Sequence, residues 1–342
     1  MLIDTLEAVQ LGGITQWIRL RGTDLSNPVL LLMQQGPGLP IINEVRTFER
    51  LLGLEQHFTV VYWDQRGTGL SLRTPKAEIS TARMVGDTVS LLELLHERFG
   101  GKTFVAGFSF GATFAAHAAA QRPDLFAALI ATGMDVDIPL AETHTYDFVL
   151  NTARERGNRR AVRQLERIGP PPHLEARQFS TRARWAIDFG GVTAGTTFNR
   201  SLRTLVGSLL RSRDYSTTDV VRTIRGILTT QTALLPELAG TDLVATMPRL
   251  EIPLVMAQGR LDQVAPGRAA QRFYDSLTAP SKQLVWFEKS AHTPHYDQPD
   301  AFRDLVLAVR NRHVRTADAP SQKCPRPTAR TGRCGQAMSS VR

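Results

Sequence analysis

The 342-residue sequence is poor in cysteine. It has two, Cys324 and Cys334, both near the C-terminal end. That excludes a disulfide framework for the body of the chain, and two thiols with no histidine beside them make a poor zinc site. Nor is there an apolar run near the ~20 residues needed to cross a bilayer. The opening, MLIDTLEAVQ, lacks the basic stretch and apolar region of a secretory leader. These absences lead us to expect a soluble cytoplasmic protein with no membrane contact. Internal repeats are also missing, so a solenoid or propeller is not expected.

Charge is uneven along the chain. The formal net charge is +9, yet residues 1–135 and 248–313 together balance twenty basic against twenty acidic side chains. The excess sits in 136–247, with fifteen Arg against eleven acids, and in 314–342. No RNA- or DNA-binding motif accompanies it, so no nucleic-acid partner is expected, and the arginines are read as a solvated surface. A content of 42% hydrophobic and 21% charged residues is that of an ordinary globular protein.

What the chain does have is an alternation of apolar runs and helical patterns. A hairpin is expected over 6–20, turning at Gly12-Gly13. Buried strands follow at 29–33, 58–63, 103–106 and 126–132, with helices at 43–54, 81–99 and 112–121 between them. This rhythm predicts an α/β fold: a mostly parallel sheet with helices on both faces. From 136 to 247 no strand-like run occurs, only Arg-rich helical stretches. The rhythm then resumes with strands at 253–257 and 283–287 and helices at 266–277 and 299–313. The expected domains are therefore a core in two parts, 1–135 and 248–314, a helical cap at 136–247, and a disordered basic tail at 315–342.

The chemistry centres on Gly107-Phe108-Ser109-Phe110-Gly111, a G-x-S-x-G match set between a strand and a helix. Such a turn strains the backbone, lifts the serine Oγ above the sheet end and turns the helix N-terminus toward it. A hydroxyl needs a base, and the base an orienting acid. Of eight histidines, His57 lies at the wrong end of a strand, His96 and His117 lie inside helices, His144 and His173 belong to the insertion, and His313 is near the tail. His292 directly follows the last strand and is preferred over His295. Asp262 holds the equivalent place after the preceding strand; Asp135 and Asp297 are its rivals. The oxyanion donors expected are the amides of Phe110 and Gly36. Ser109, Asp262 and His292, in that order, are the expected catalytic set.

With these residues assembled, the chain resembles an α/β-hydrolase of the proline iminopeptidase group over nearly all of 5–313. The most specific match is Asp64-Gln65-Arg66-Gly67-Thr68-Gly69-Leu70-Ser71, close to the group's DQRG(S/A)GxS stretch, while Gln34-Gln35-Gly36-Pro37-Gly38 corresponds to its HGGPG. The resemblance implies release of an N-terminal residue, often proline, from a short peptide or small amide. It also implies no metal and no organic cofactor. Two departures stand out. Gln34-Gln35 replaces His-Gly, which sets Gln35 against the substrate. Where the group carries a Trp-Glu pair in its cap to hold the substrate amine, Trp185 is followed by Asp188 and Phe189, so Trp185 and Asp188 are the corresponding substrate-binding candidates. The alternatives are an esterase or amidase of small or hydrophobic substrates, and a non-catalytic module that binds a ligand in the same pocket. Oligomeric state leaves no mark on the sequence.

Overall fold

The computed structural model describes residues 3–74 and 77–317. Its centre is a sheet of β1 (Ile3–Leu11), β2 (Ile14–Gly22), β3 (Val29–Met33), β4 (Thr59–Asp64), β5 (Thr103–Phe108), β6 (Phe126–Thr132), β7 (Leu254–Gly259) and β8 (Lys282–Phe287). The strands lie in the order β1-β2-β4-β3-β5-β6-β7-β8. The opening hairpin turns at Gly12 and Gly13, both at positive φ, as a tight two-residue hairpin turn requires. β2 joins β4 antiparallel, and the sheet runs parallel from β4 to β8.

The continuous apolar runs are explained by burial on both faces. Alternate residues of each strand enter opposite cores. Leu31, Met33, Val61, Trp63 and Val105 pack with α2 (Thr81–Phe99), α3 (Phe110–Gln121) and Phe273. Leu30, Leu32, Val60, Tyr62 and Phe104 pack with Phe48 of α1 (Val45–Leu52) and with Phe302. The expected helix at 43–54 is shorter, because Gly53 ends it in the left-handed conformation at φ 56.

Between β6 and β7 the described chain forms helices α4 (Ile138–Glu155), α5 (Arg159–Ile168), α6 (Ala176–Asp188), α7 (Phe198–Arg211), α8 (Thr217–Leu238) and α9 (Leu243–Thr246). The two ends of this insertion are stitched together where Ile138 N donates to Thr241 O and Leu243 N to Val136 O. Part of it has its own small core of Tyr146, Val149, Leu165 and Trp185. The chain closes with α10 (Gly267–Ser276), α11 (Pro294–Asp297) and α12 (Pro299–Ala317). α12 runs beyond the expected end at 313, so residues 315–317 continue a helix instead of opening a tail. The remainder of the expected tail, with both cysteines, lies outside the described residues. Among those described, no helix is long and apolar enough to cross a membrane.

The Asp64–Ser71 stretch proves to be a girder. Asp64 is fully buried and accepts hydrogen bonds from the amides of Ile41, Ile42 and Leu70, and from the Tyr215 hydroxyl. Burial pushes its pKa up, against those hydrogen bonds. One carboxylate thereby ties the loop after β3, the loop after β4 and the insertion. Arg66 is equally buried, paired with Asp87 by two hydrogen bonds of 2.7 and 2.9 Å. It also donates to the carbonyls of Gly12 and Glu78. Removing one partner of such a pair strands a charge in the interior, whereas removing both does not. Asp87→Ala should therefore cost about 3–5 kcal/mol of unfolding free energy. The double change Arg66→Met/Asp87→Leu should cost much less, a difference that denaturant melts read directly.

Candidate active site

The functional side chains gather at the carboxyl ends of the parallel strands, around a cavity of about 840 Å³ roofed by the insertion. Ser109 sits in the turn from β5 to α3 with φ 52 and ψ −125. It is the one described non-glycine residue at positive φ, a conformation that costs about 1–3 kcal/mol. Its amide donates to Thr132 O at 2.8 Å, and the small residues around it make room. A Cβ on Gly107 would lie 2.5 Å from Ala112 Cα. One on Gly111 would collide with Gln34 O, so this second glycine clears the loop after β3.

His292 is buried beyond the end of β8. Its Nδ1 pairs with Asp262 Oδ2 at 2.9 Å, and its own amide donates to Val192 O of the insertion. The ring lies against Gly133, where a Cβ would come within 2.9 Å of Nδ1. Asp262 is itself held: it accepts from the amides of Val264 and Ala265 and from Gln258 Nε2. Burial opposes a charge on His292, but the Asp262 charge and hydrogen bond, with help from Asp135, outweigh it and raise the imidazole pKa. His295 is a different case. It stacks among Phe48, Phe108 and Tyr296, its Nδ1 has no partner among the described residues, and burial beside His292 drives its pKa down to about 3. A ring so held neutral and apolar-packed is a poor proton carrier, which physically separates the two histidines.

The direct bond from serine to base that the expected catalytic set calls for is not made. The Ser109 hydroxyl donates instead to Asp135 Oδ2, at 2.8 Å. Asp135 follows β6, the neighbour of β5, and an ionised carboxylate is a stronger acceptor than a neutral imidazole. Burial raises the Asp135 pKa to about 6, against the opposing pull of His292 and of its bond to Ser109. The sequence pointed to Asp135 only as a rival to Asp262, and the Asp262–His292 bond leaves that acid role filled.

Gly36, at φ 64, and Phe110 both line the cavity, as does Gln35. Among the described residues the amides of Gly36 and Phe110 have no protein acceptor. Trp185 and Asp188, by contrast, do not line the cavity. Trp185 packs in the insertion's own core, stacked on Phe189, with Nε1 donating to Gln164. Asp188 accepts the amide of Phe198, the first residue of α7, at 2.7 Å. The insertion instead sends Glu142 and Arg182 to the cavity wall, paired at 2.6 Å, with Arg182 Nη1 also meeting His173 Nδ1 at 3.1 Å. Their sequence signal, one of three acids on α4 and one of three arginines on α6, was indistinguishable from a solvated surface.

Comparison with known proteins identifies the family and the fold. The family model described as "Serine aminopeptidase, S33" matches residues 54–299. A curated relative, the "Probable aminopeptidase YbaC" of Bacillus subtilis, is 29% identical over 318 residues, 92% of this chain and 97% of that one. Among solved structures, a proline iminopeptidase of Mycobacterium smegmatis is similar with TM-score 0.63 at 17% identity, covering 92% of this chain and all of that one. A proline iminopeptidase-related protein from Thermus thermophilus gives 0.62 at 20% identity, over 91% and 99%. A 2-hydroxy-6-oxo-6-phenylhexa-2,4-dienoate hydrolase from Rhodococcus gives 0.62 at 18%, over 91% and 100%. These likenesses establish the α/β-hydrolase fold, and the chain belongs to the serine aminopeptidase family of serine hydrolases, resembling proline iminopeptidases.

Proposed function

We propose that the protein releases an N-terminal residue from short peptides or small amides through an acyl-enzyme formed on Ser109. The observation that carries this is the convergence, at one cavity, of a strained serine and a buried imidazole that is itself paired with Asp262. In the mechanism, Ser109 Oγ attacks the scissile carbonyl carbon while His292 Nε2 takes its proton. Asp262 fixes the tautomer with the proton on Nδ1 and stabilises the imidazolium. The amides of Gly36 and Phe110 hold the carbonyl oxygen as it becomes negative, a contribution worth about 10²–10³ in rate per donor. The C–N bond then breaks as His292 passes its proton to the leaving amine. A water, deprotonated by the same imidazole, adds to the acyl carbon and frees the acid and the Ser109 hydroxyl. The helical insertion acts as a cap that excludes bulk water from these steps.

A second reading, an esterase or amidase, is favoured by one feature: most of the cavity wall is apolar, with Leu39, Phe48, Ile138, Phe179 and Leu205 among its side chains. Turnover of proline-β-naphthylamide beside p-nitrophenyl esters separates the two. A fluorophosphonate probe tests the nucleophile common to both. Wild type should be labelled and Ser109→Ala should not; labelling of the variant would move the nucleophile elsewhere.

The pH dependence follows from the raised His292 pKa. The base works only when neutral, so kcat/KM should fall as pH drops through a value above the ordinary ~6.5 of histidine. Asp262→Asn removes the main force that raises it. That variant should lose roughly 10⁴ in kcat, and its residual acid limb should move to lower pH. An acid limb that stays in place would show that a different group titrates.

A further inference from the structure

The mechanism leaves one buried charge without a task. Asp135 is 3% exposed, lines the cavity and, among the described residues, has a single hydrogen bond to its carboxylate, from Ser109. A carboxylate so placed is costly unless a cation pairs with it. The nearby cations are already engaged: Arg182 bonds to Glu142 and His173, and His292 bonds to Asp262. We propose that Asp135 is the anchor for the free α-ammonium group of the substrate, a role that rests on the aminopeptidase reading above.

The covalent geometry of an amino acyl group fits the place. Bond lengths and angles put the α-nitrogen about 2.5 Å from the carbonyl carbon. In a near-attack complex that carbon lies roughly 3–3.5 Å from the serine oxygen. An ammonium group therefore falls within a few ångströms of Ser109 Oγ, and Asp135 Oδ2 is 2.8 Å from that atom. The other described carboxylates near the cavity are engaged elsewhere, Glu44 by Asn43 Nδ2 and Ser208 Oγ. Asp262 is spent on His292, Glu142 is neutralised by Arg182, and Asp188 is bound to the Phe198 amide outside the cavity.

Binding there also frees the nucleophile. The Ser109 hydroxyl donates its hydrogen bond to Asp135 Oδ2. An ammonium donor competes for that carboxylate and leaves the hydroxyl to turn to His292 Nε2. A substrate lacking the amine offers no such exchange, so selectivity for free N-termini and activation of the serine become one event. The upward pKa shift of Asp135 agrees, since a carboxylate destabilised by burial gains most from an arriving cation.

The test compares proline-, alanine- and leucine-β-naphthylamides with their N-acetyl counterparts. Wild type should prefer the free amines. In Asp135→Asn the ratio of kcat/KM for free over acetylated substrate should fall about 10²-fold, mostly through KM, as for loss of a buried charge pair. Asp135→Glu, which keeps the charge one methylene further out, should retain part of the preference. It also carries the test if the Asn variant does not fold. An unchanged ratio, or equal losses on both substrate sets, would overturn the anchor and leave Asp135 as a support for Ser109. A fall confined to Glu142→Gln would move the anchor to the cap. A wild type that reacts with fluorophosphonate yet cleaves no free-amine substrate would instead sink the aminopeptidase reading, and the anchor with it.

Discussion

The left-handed backbone of Ser109 is the constraint on which the site depends. A serine does not hold φ 52 by itself; the surroundings must impose it. Here the imposition comes from three sides: the bond from its amide to Thr132 O, the start of α3 at Phe110, and the missing side chains at Gly107 and Gly111. All three depend on β5 lying between β3 and β6 in the sheet. The same strand order sets what the serine meets. β6 ends in register with β5, Phe108 opposite Thr132, so the residues just past Thr132 arrive beside Ser109. β7 and β8 follow in turn and deliver Asp262 and His292. Because β6 and β7 stand between serine and histidine, the imidazole must reach past their ends, and it passes β6 at Gly133.

The most recognisable stretch of the sequence does its work at a distance from the chemistry. None of the side chains from Asp64 to Ser71 lines the cavity. Asp64 instead gathers three loop amides and a tyrosine from the insertion, and Arg66 locks the hairpin turn to α2 through Asp87. The loop after β3 carries Gly36, so the girder fixes a backbone segment of the cavity wall indirectly. A motif can thus mark an enzyme family through the scaffold that holds the site, not through the reacting groups.

This explains which parts of the molecule were legible in the sequence. The sheet was, because strands buried on both faces read as uninterrupted apolar runs, and the hairpin was, because Gly12-Gly13 is a strong turn signal. Ser109, Asp262 and His292 could be placed because each follows a strand at the same sheet edge, and strand ends need no knowledge of side-chain packing. The partner of the Ser109 hydroxyl was not legible in that way. Asp135 also follows a strand, but only the lateral order of strands brings its carboxylate within hydrogen-bond reach of the serine. The insertion was least readable. Its helices were evident from periodicity, yet which face meets the cavity depends on how they fold over the sheet. Hence Trp185 and Asp188 turn to their own neighbours while Glu142 and Arg182 face inward.

The insertion is more than a lid resting on a finished active site, because its contacts make it part of the site. Val192 O receives the His292 amide, Gly191 O receives the Gln263 amide next to Asp262, and Thr193 and Thr293 share a hydrogen bond. This side of the insertion is bonded to His292 and to the residue beside Asp262, so it cannot lift away without disturbing them. The exposed apolar side chains that border the cavity are on the other side: Leu202 of α7, with Ile224 and Leu228 of α8. The insertion is therefore divided by its bonding into a clamp on the catalytic loops and an apolar, solvent-facing edge. The first fixes the placement of His292 against Asp262 and the second borders the cavity, so changes to the apolar edge reshape the cavity mouth without touching the bonds that hold His292 and Asp262.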